Sequence, residues 1–300
     1  MSRAAGLTLV ELLVAMVITL AVVAGSTAFV SRGRAAHRTS ESLAQVEESL
    51  DAAFSLLADE IRSAGYLGLA PPRSVVTGSS ALGSAERADL AVAGGCGASL
   101  AHDLGQPFSA ADGAYAAAPG IALACRPSPE GRAAPRADTL VLRHALADPG
   151  RPQAGRLQLE TTLRAAALAA NGATALGAGS RWHDLEVGAY YVSADSTGRA
   201  GWPSLRRKRL VGGARPAFQD EELVSGISDL QVTIGLDDPA DEDGAVDRWV
   251  APGDLAGGLP RALRIELEAV SDIPEPGLAG ANRRKRASRI VELRNAANSP

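Results

Sequence analysis

Histidine and cysteine are scarce: the 300 residues contain four of the first and two of the second. His37, His102, His144 and His183 show no ligand spacing, and two cysteines supply too few thiolates, so no metal is assigned to the cysteines. No G-x-S-x-G, no phosphate-binding Walker loop and no zinc-protease pattern occurs, and no nucleophile is paired with a base. That argues against an enzyme and leaves a membrane-anchored periplasmic enzyme or binding module as the different-class alternative. Neither sign of charge predominates, since 30 Lys+Arg against 34 Asp+Glu give a net −4. A chain-wide basic field that would draw nucleic acid or anionic lipid is therefore absent, and any such contact must be local. Lysine occurs only as Lys208 and Lys285, a bias without chemical content.

Apolar residues are plentiful, 46% of the chain, enough for one or two packed domains. They concentrate first in GLTLVELLVAMVITLAVVAG, from Gly6 to Gly25. Leu12 to Val30 carries no charge, which suffices for a helix across about 30 Å of hydrocarbon. A secretory signal would be cut after its apolar region, whereas here a small residue, Gly6, precedes it. The charge count is adverse to export of the residues C-terminal to the run, because Arg3 and the amino terminus face Arg32, Arg34 and Arg38 on the other side. The bulk of the chain lies beyond the helix, and this sets the expected orientation: a single pass, with residues 66–300 outside the cytoplasm. Cys96 and Cys125 would then meet an oxidising compartment, favouring one disulfide over two unpaired buried thiols.

Glu11 is a lone carboxylate near the start of the apolar run, and a partner is expected for it. A cut after Gly6 would create an amino group on Leu7, four residues before Glu11, able to answer a carboxylate on a neighbouring copy. The alternative is a plain signal anchor whose Glu11 reaches the headgroups. The string Gly6-Leu7-Thr8-Leu9-Val10-Glu11-Leu12 resembles the N-terminal motif of type IV pilins and type II secretion pseudopilins. That resemblance implies cleavage after Gly6 by prepilin peptidase, N-methylation of Leu7 and a subunit-docking role for Glu11. Leu7 departs from the phenylalanine usual in these families but remains large and apolar.

Beyond the membrane segment, Leu43, Val46, Leu50, Phe54, Leu57 and Ile61 recur at helical spacing and predict an amphipathic helix ending at Ser63-Ala64-Gly65. The domain plan is a leader over 1–6, a membrane and assembly half over 7–30, an amphipathic half over 31–65 and a β-rich globular domain over 66–300. Residues 69–136 read as a looped segment with short strands around Ala88–Ala93 and Ile121–Cys125. Later strands are expected at Asp138–His144, Arg156–Leu163, Ala189–Ser193, Leu205–Val211, Asp229–Leu236, Arg261–Ala269 and Ser288–Arg294. Ala165–Ala170 reads as a short helix or tight turn. The fold class is α+β: a long helix, transmembrane in its first half, packed on an antiparallel sheet with one wet face.

Three further blocks resemble PilW-type minor pilins: Ile61–Gly68 (IRSAGYLG), Leu223–Val232 (LVSGISDLQV) and Arg289–Asn295 (RIVELRN). The resemblance implies a non-enzymatic role in assembling or initiating a type IV pilus, with twitching, adhesion and DNA uptake as its outputs. Implied partners are other minor pilins, the major pilin, prepilin peptidase, the inner-membrane assembly platform and a tip adhesin. The chain would pass from the inner membrane to the pilus tip. A J-type minor pseudopilin of type II secretion shares the long helix and stands as the alternative.

Asp237, Asp241, Asp243 and Asp247 fall in one acidic loop, where calcium, which takes six to eight oxygens, is weighed against a solvated turn. Pro239 and Val250 occupy the first and last positions of an EF-hand register, which therefore fails. No other cofactor is expected. Arg206-Arg207-Lys208-Arg209 lies within a strand and Arg283-Arg284-Lys285-Arg286 in a loop. Both read as solvated faces, with an acidic partner or DNA as the alternative.

Overall fold

The computed structural model describes residues 8–295 apart from 73, 86, 98, 171, 173, 174, 241, 242 and 256. Helix α1 runs unbroken through Leu9–Ser63, 55 residues, or about 82 Å at 1.5 Å per residue. Neither Gly25 nor Gly33 interrupts it. It ends where the residue pattern places the end. Ala64 N–H still donates to the Glu60 carbonyl at 3.0 Å, whereas Gly65, at φ +80°, leaves the helix and donates to the Arg143 carbonyl at 2.9 Å. A residue with Cβ would be strained at that φ.

By their internal contacts the residues form two units: α1 as far as Val46 together with Ser271–Arg283, and Glu47–Val270 together with the chain from Arg284. In the first unit, Ser42 Oγ donates to Glu275 Oε1 at 2.7 Å, and Arg283 holds the same buried carboxylate through two N–H bonds of 2.9 and 2.8 Å. Gln45 Oε1 accepts from Ser271 Oγ at 2.9 Å and from the Asp272 N–H at 3.1 Å.

The second unit contains an eight-stranded sheet in the order β1 (Val76–Thr77), β7 (Ala166–Ala170), β6 (Leu157–Thr161), β8 (Arg181–Ser193), β5 (Thr139–Ala145) and β2 (Phe108–Ala111). From β8 it continues through β9 (Ser204–Val211) to β10 (Ala217–Ser225). β8 is the spine, meeting β6, β5 and β9 antiparallel along successive parts of its length, while β1 joins β7 in parallel. β3 (Ala116–Ala118) and β4 (Ile121–Ala122) form a small pair. A second sheet runs β12 (Arg248–Val250), β11 (Ile227–Asp237), β13 (Leu259–Pro274) and β14 (Asn282–Glu292). On β11, Leu230, Val232, Ile234 and Leu236 are buried, and on β13 so are Leu263, Ile265 and Leu267, as their alternation predicts.

Asp138 joins the two sheets. Its N–H donates to the Leu230 carbonyl at 2.8 Å, and its carboxylate accepts from the N–H groups of Gly113 and Val232, each at 2.7 Å. Burial pushes this carboxyl up to about 6 despite those two donors, with Asp112 and Asp229 adding repulsion.

Helix residues Leu50, Ala53, Phe54, Leu57, Ala58 and Ile61 are buried in the second unit. Leu43, expected on the same stripe, is 38% exposed, and Ser42 takes the inward position one residue earlier. The cysteines form a Cys96–Cys125 disulfide. Ala88–Leu90 is a 3₁₀ turn rather than a strand, and Ala93 contributes only one bridge, to Ala217. The alanine run 166–170, expected to be a short helix or turn, is strand β7, because pairing with both β1 and β6 overrides alanine's intrinsic helix preference. Arg283–Arg286, expected in a loop, lies in β14.

Glu160, on β6, is fully buried and accepts from the N–H groups of Ala175 and Leu176 at 2.6 and 3.0 Å and from Ser180 Oγ at 2.6 Å. Burial works against its charge, yet these donors outweigh it and hold the carboxyl below its usual range. Glu160→Gln is expected to cost about 1–3 kcal/mol, since an amide –NH₂ would face donors. Hydrogen exchange at residues 175–180 should quicken with a lower melting temperature; an unchanged melt and unchanged exchange would show that the carboxylate does not hold this loop.

Candidate functional site

The N-terminal turn is built on two side chains. Glu11 Oε2 accepts from Thr8 N–H at 2.9 Å and from Thr8 Oγ1 at 3.0 Å, while Glu11 N–H donates to Thr8 Oγ1 at 3.2 Å. This is a reciprocal capping box, with threonine at the N-cap and glutamate three residues on. The pattern Thr8-x-x-Glu11 was legible in the sequence, although attention to the apolar run hides it. The carboxylate also sits at the positive end of the helix dipole. Gly6 and Leu7, the expected cleavage and methylation positions, lie outside the described residues.

From Leu9 to Val30 the helix exposes its apolar side chains, with Leu9 at 75% and Phe29 at 79%. Its most apolar 18-residue window has a mean hydropathy of 2.4 and is 0% buried. Leaving so much apolar surface in water is unfavourable by about 25 cal/mol per Å². The hydroxyls inside the segment are already satisfied by the helix, Thr19 donating to the Ala15 carbonyl at 2.7 Å and Thr27 to that of Ala24 at 2.9 Å. They add little cost in lipid. The segment therefore suits a bilayer or a bundle of like helices.

The basic runs are answered from within the chain. On β9 and β10, Lys208 lies opposite Asp220, Arg207 opposite Glu221 and Arg206 opposite Glu222. The corresponding ion pairs measure 3.0, 2.5 and 2.6 Å, and Arg209 pairs with Glu186 at 2.7 Å. In the second run Arg284 meets Glu268 and Lys285 meets Glu47, each at 2.7 Å, and Arg286 meets Glu266 at 3.0 Å. The signal overlooked in the sequence is the Asp220-Glu221-Glu222 triplet, complementary to the first run. A patch whose charges are so compensated has little long-range pull on DNA.

The acidic loop is likewise occupied with its own backbone. Asp237 is fully buried and pairs with Arg261 at 2.6 Å, Asp247 accepts from the Asp238 N–H at 2.7 Å, and Asp243 accepts from the Ala245 N–H at 2.7 Å. Asp241 lies outside the described residues. Among the described residues no group of three or more His, Cys, Asp or Glu is arranged to hold a metal ion.

Comparison with known families adds two matches. The family described as the prokaryotic N-terminal methylation motif matches residues 1–27, and the family described as type IV pilus-assembly protein W matches residues 189–270. The two matches together cover about a third of the chain. The PilW match runs from the last third of β8 through the charge-paired β9–β10 ladder to the buried rows of β11 and β13. The N-terminal match covers the capped turn and most of the exposed apolar helix. No curated protein and no solved structure matches significantly.

Proposed function

We propose that the chain is a minor pilin, inserted in the inner membrane with its β-rich part in the periplasm, cut after Gly6 and methylated on Leu7. It then joins other minor pilins and the major pilin in the complex that starts or caps the filament. The observation that carries this reading is the exposed apolar helix with a single acid, Glu11, in its first turn. Withdrawing such a helix from lipid alone is prohibitive, and burial against neighbouring apolar helices compensates. The capping box holds Glu11 ready at the helix end, where the amino group of an adjacent subunit would meet it. The chain performs no chemistry of its own.

Glu11→Ala should be processed normally but incorporated into sheared pili at least tenfold less than the wild type. Glu11→Gln separates two causes, because it retains an acceptor for Thr8 while losing the charge. If docking needs the charge, both variants are lost from pili; normal incorporation of Glu11→Gln would reduce Glu11 to a helix cap. Mass spectrometry of the mature protein should find methylated Leu7 at its start, and an intact leader would end the reading. A deletion that spared piliation and impaired only enzyme secretion would assign the chain to the pseudopilins.

A further inference from the structure

Arg32, Arg34 and Arg38 succeed the apolar run on the side expected to be exported, the reverse of the usual charge asymmetry. Unlike the basic runs of β9 and β14, Arg34 and Arg38 meet no carboxylate among the described residues. The nearby acid Glu41 is paired with His37 at 3.2 Å. Arg34 and Arg38 stand one turn apart and are exposed. With Ser26, Thr27, Val30, Ser31 and Ala35 they line a shallow groove, open to solvent, along one face of α1.

We propose that this groove binds the phosphate headgroup of an anionic phospholipid in the leaflet where the helix leaves the membrane. The inference rests on the reading that α1 spans the bilayer, and the depth of the groove comes from that reading. Leu9 to Val30 covers about 33 Å, which fills the roughly 30 Å of hydrocarbon, so Arg34 and Arg38 fall about 6 and 12 Å beyond it. Headgroups occupy about the first 5–8 Å of that zone. Helical side chains lean toward the helix N-terminus, so both guanidiniums point back toward the lipid phosphates rather than out into water. Each guanidinium offers a planar fork of donors that matches a phosphate, with the Ser31 hydroxyl on the same stripe. The apolar flank at Val30 suits the start of an acyl chain. The adverse charge count then has a physical reason: these cations are retained at the exit by lipid, and the headgroup must be released when the subunit enters a filament.

The test uses the full chain in nanodiscs of equal phosphatidylcholine and phosphatidylglycerol, with the retained lipids counted by native mass spectrometry. The wild type is expected to keep phosphatidylglycerol at least tenfold over phosphatidylcholine. Arg34→Gln with Arg38→Gln should abolish the preference, whereas Arg32→Gln, about 200° round the helix from Arg34 at 100° per residue, should retain it. Equal retention by the double variant, or equal loss in Arg32→Gln, overturns the site. Protease protection of the apolar segment is read on every sample. An unprotected segment would show that the spanning reading itself had failed, whereas a protected segment without lipid preference removes only the headgroup site. If the double variant keeps its lipid preference and instead loses crosslinks to neighbouring pilins, the face belongs to a protein partner and the proposal is wrong.

Discussion

Replacing Cys96 and Cys125 together by serine is expected to lower stability by about 3.5 kcal/mol, the chain-entropy value for a closed loop of about 30 residues. The bridge spans 29 positions and closes a stretch that contains β2, β3 and β4. Few long strands secure this stretch: β2 has four residues, β3 three and β4 two. Cross-linking therefore substitutes for the ladder hydrogen bonds that longer strands would supply. At about 2–4 °C per kcal/mol for a domain of this size, the melting temperature should fall by roughly 7–14 °C. Treating the wild type with a reductant should give the same melt as the double variant. An unchanged melting temperature in both would mean that the packing of Leu100, Leu104 and Leu123 alone orders the segment.

The second large effect is expected at Glu60, where α1 is tied to the sheet of the second unit. Its carboxylate accepts from His144 Nε2 on β5 and from Arg207 on β9, each at 3.0 Å, with the three side chains only 23%, 7% and 13% exposed. Glu60→Ala leaves a buried cation short of a partner and should cost about 3 kcal/mol. Arg207 keeps Glu221, and His144 can shed its proton, which limits the loss. Glu60→Gln should cost about half as much. The pH dependence separates the ion pair from simple packing. Burial resists charge on both partners. For Glu60, the bond and charge of His144 and the charge of Arg207 prevail and lower its pKa, so its contribution exists above the ordinary 4.5 and is lost as pH falls through the folded value. For His144, the bond to Glu60 prevails and raises its pKa, so its contribution exists below 6.5 and is lost as pH rises through the folded value. Wild-type stability relative to Glu60→Gln should therefore peak between pH 4.5 and 6.5. A flat difference across that range would leave only packing at this position.

The helix and its end were legible because they depend on local chemistry. Apolar spacing sets the buried row Leu50, Phe54, Leu57 and Ile61, and Gly65 supplies the positive φ that stops it. Alternation likewise identified β11 and β13, whose buried and solvated faces differ. Local preference misleads where it diverges from global pairing. The alanines of β7 carry no pattern, and only their neighbours β1 and β6 make them a strand. β10 was missed because its charged residues do not alternate with apolar ones; its side chains are satisfied by β9 across the ladder.

The candidate site shows the same division. Chain order alone places Glu11 at the head of an apolar helix and joins it to Thr8, because a capping box spans only four residues. It also sets the length of the apolar run and the position of the cysteines beyond it. What the two runs of arginine and lysine meet depended on tertiary structure, since their carboxylates come from neighbouring strands, Asp220, Glu221 and Glu222 on β10, Glu266 and Glu268 on β13 and Glu186 on β8, and from Glu47 on α1. Charge is visible in a sequence, but its compensation is a property of distance, and distance between remote residues exists only once the strands are paired.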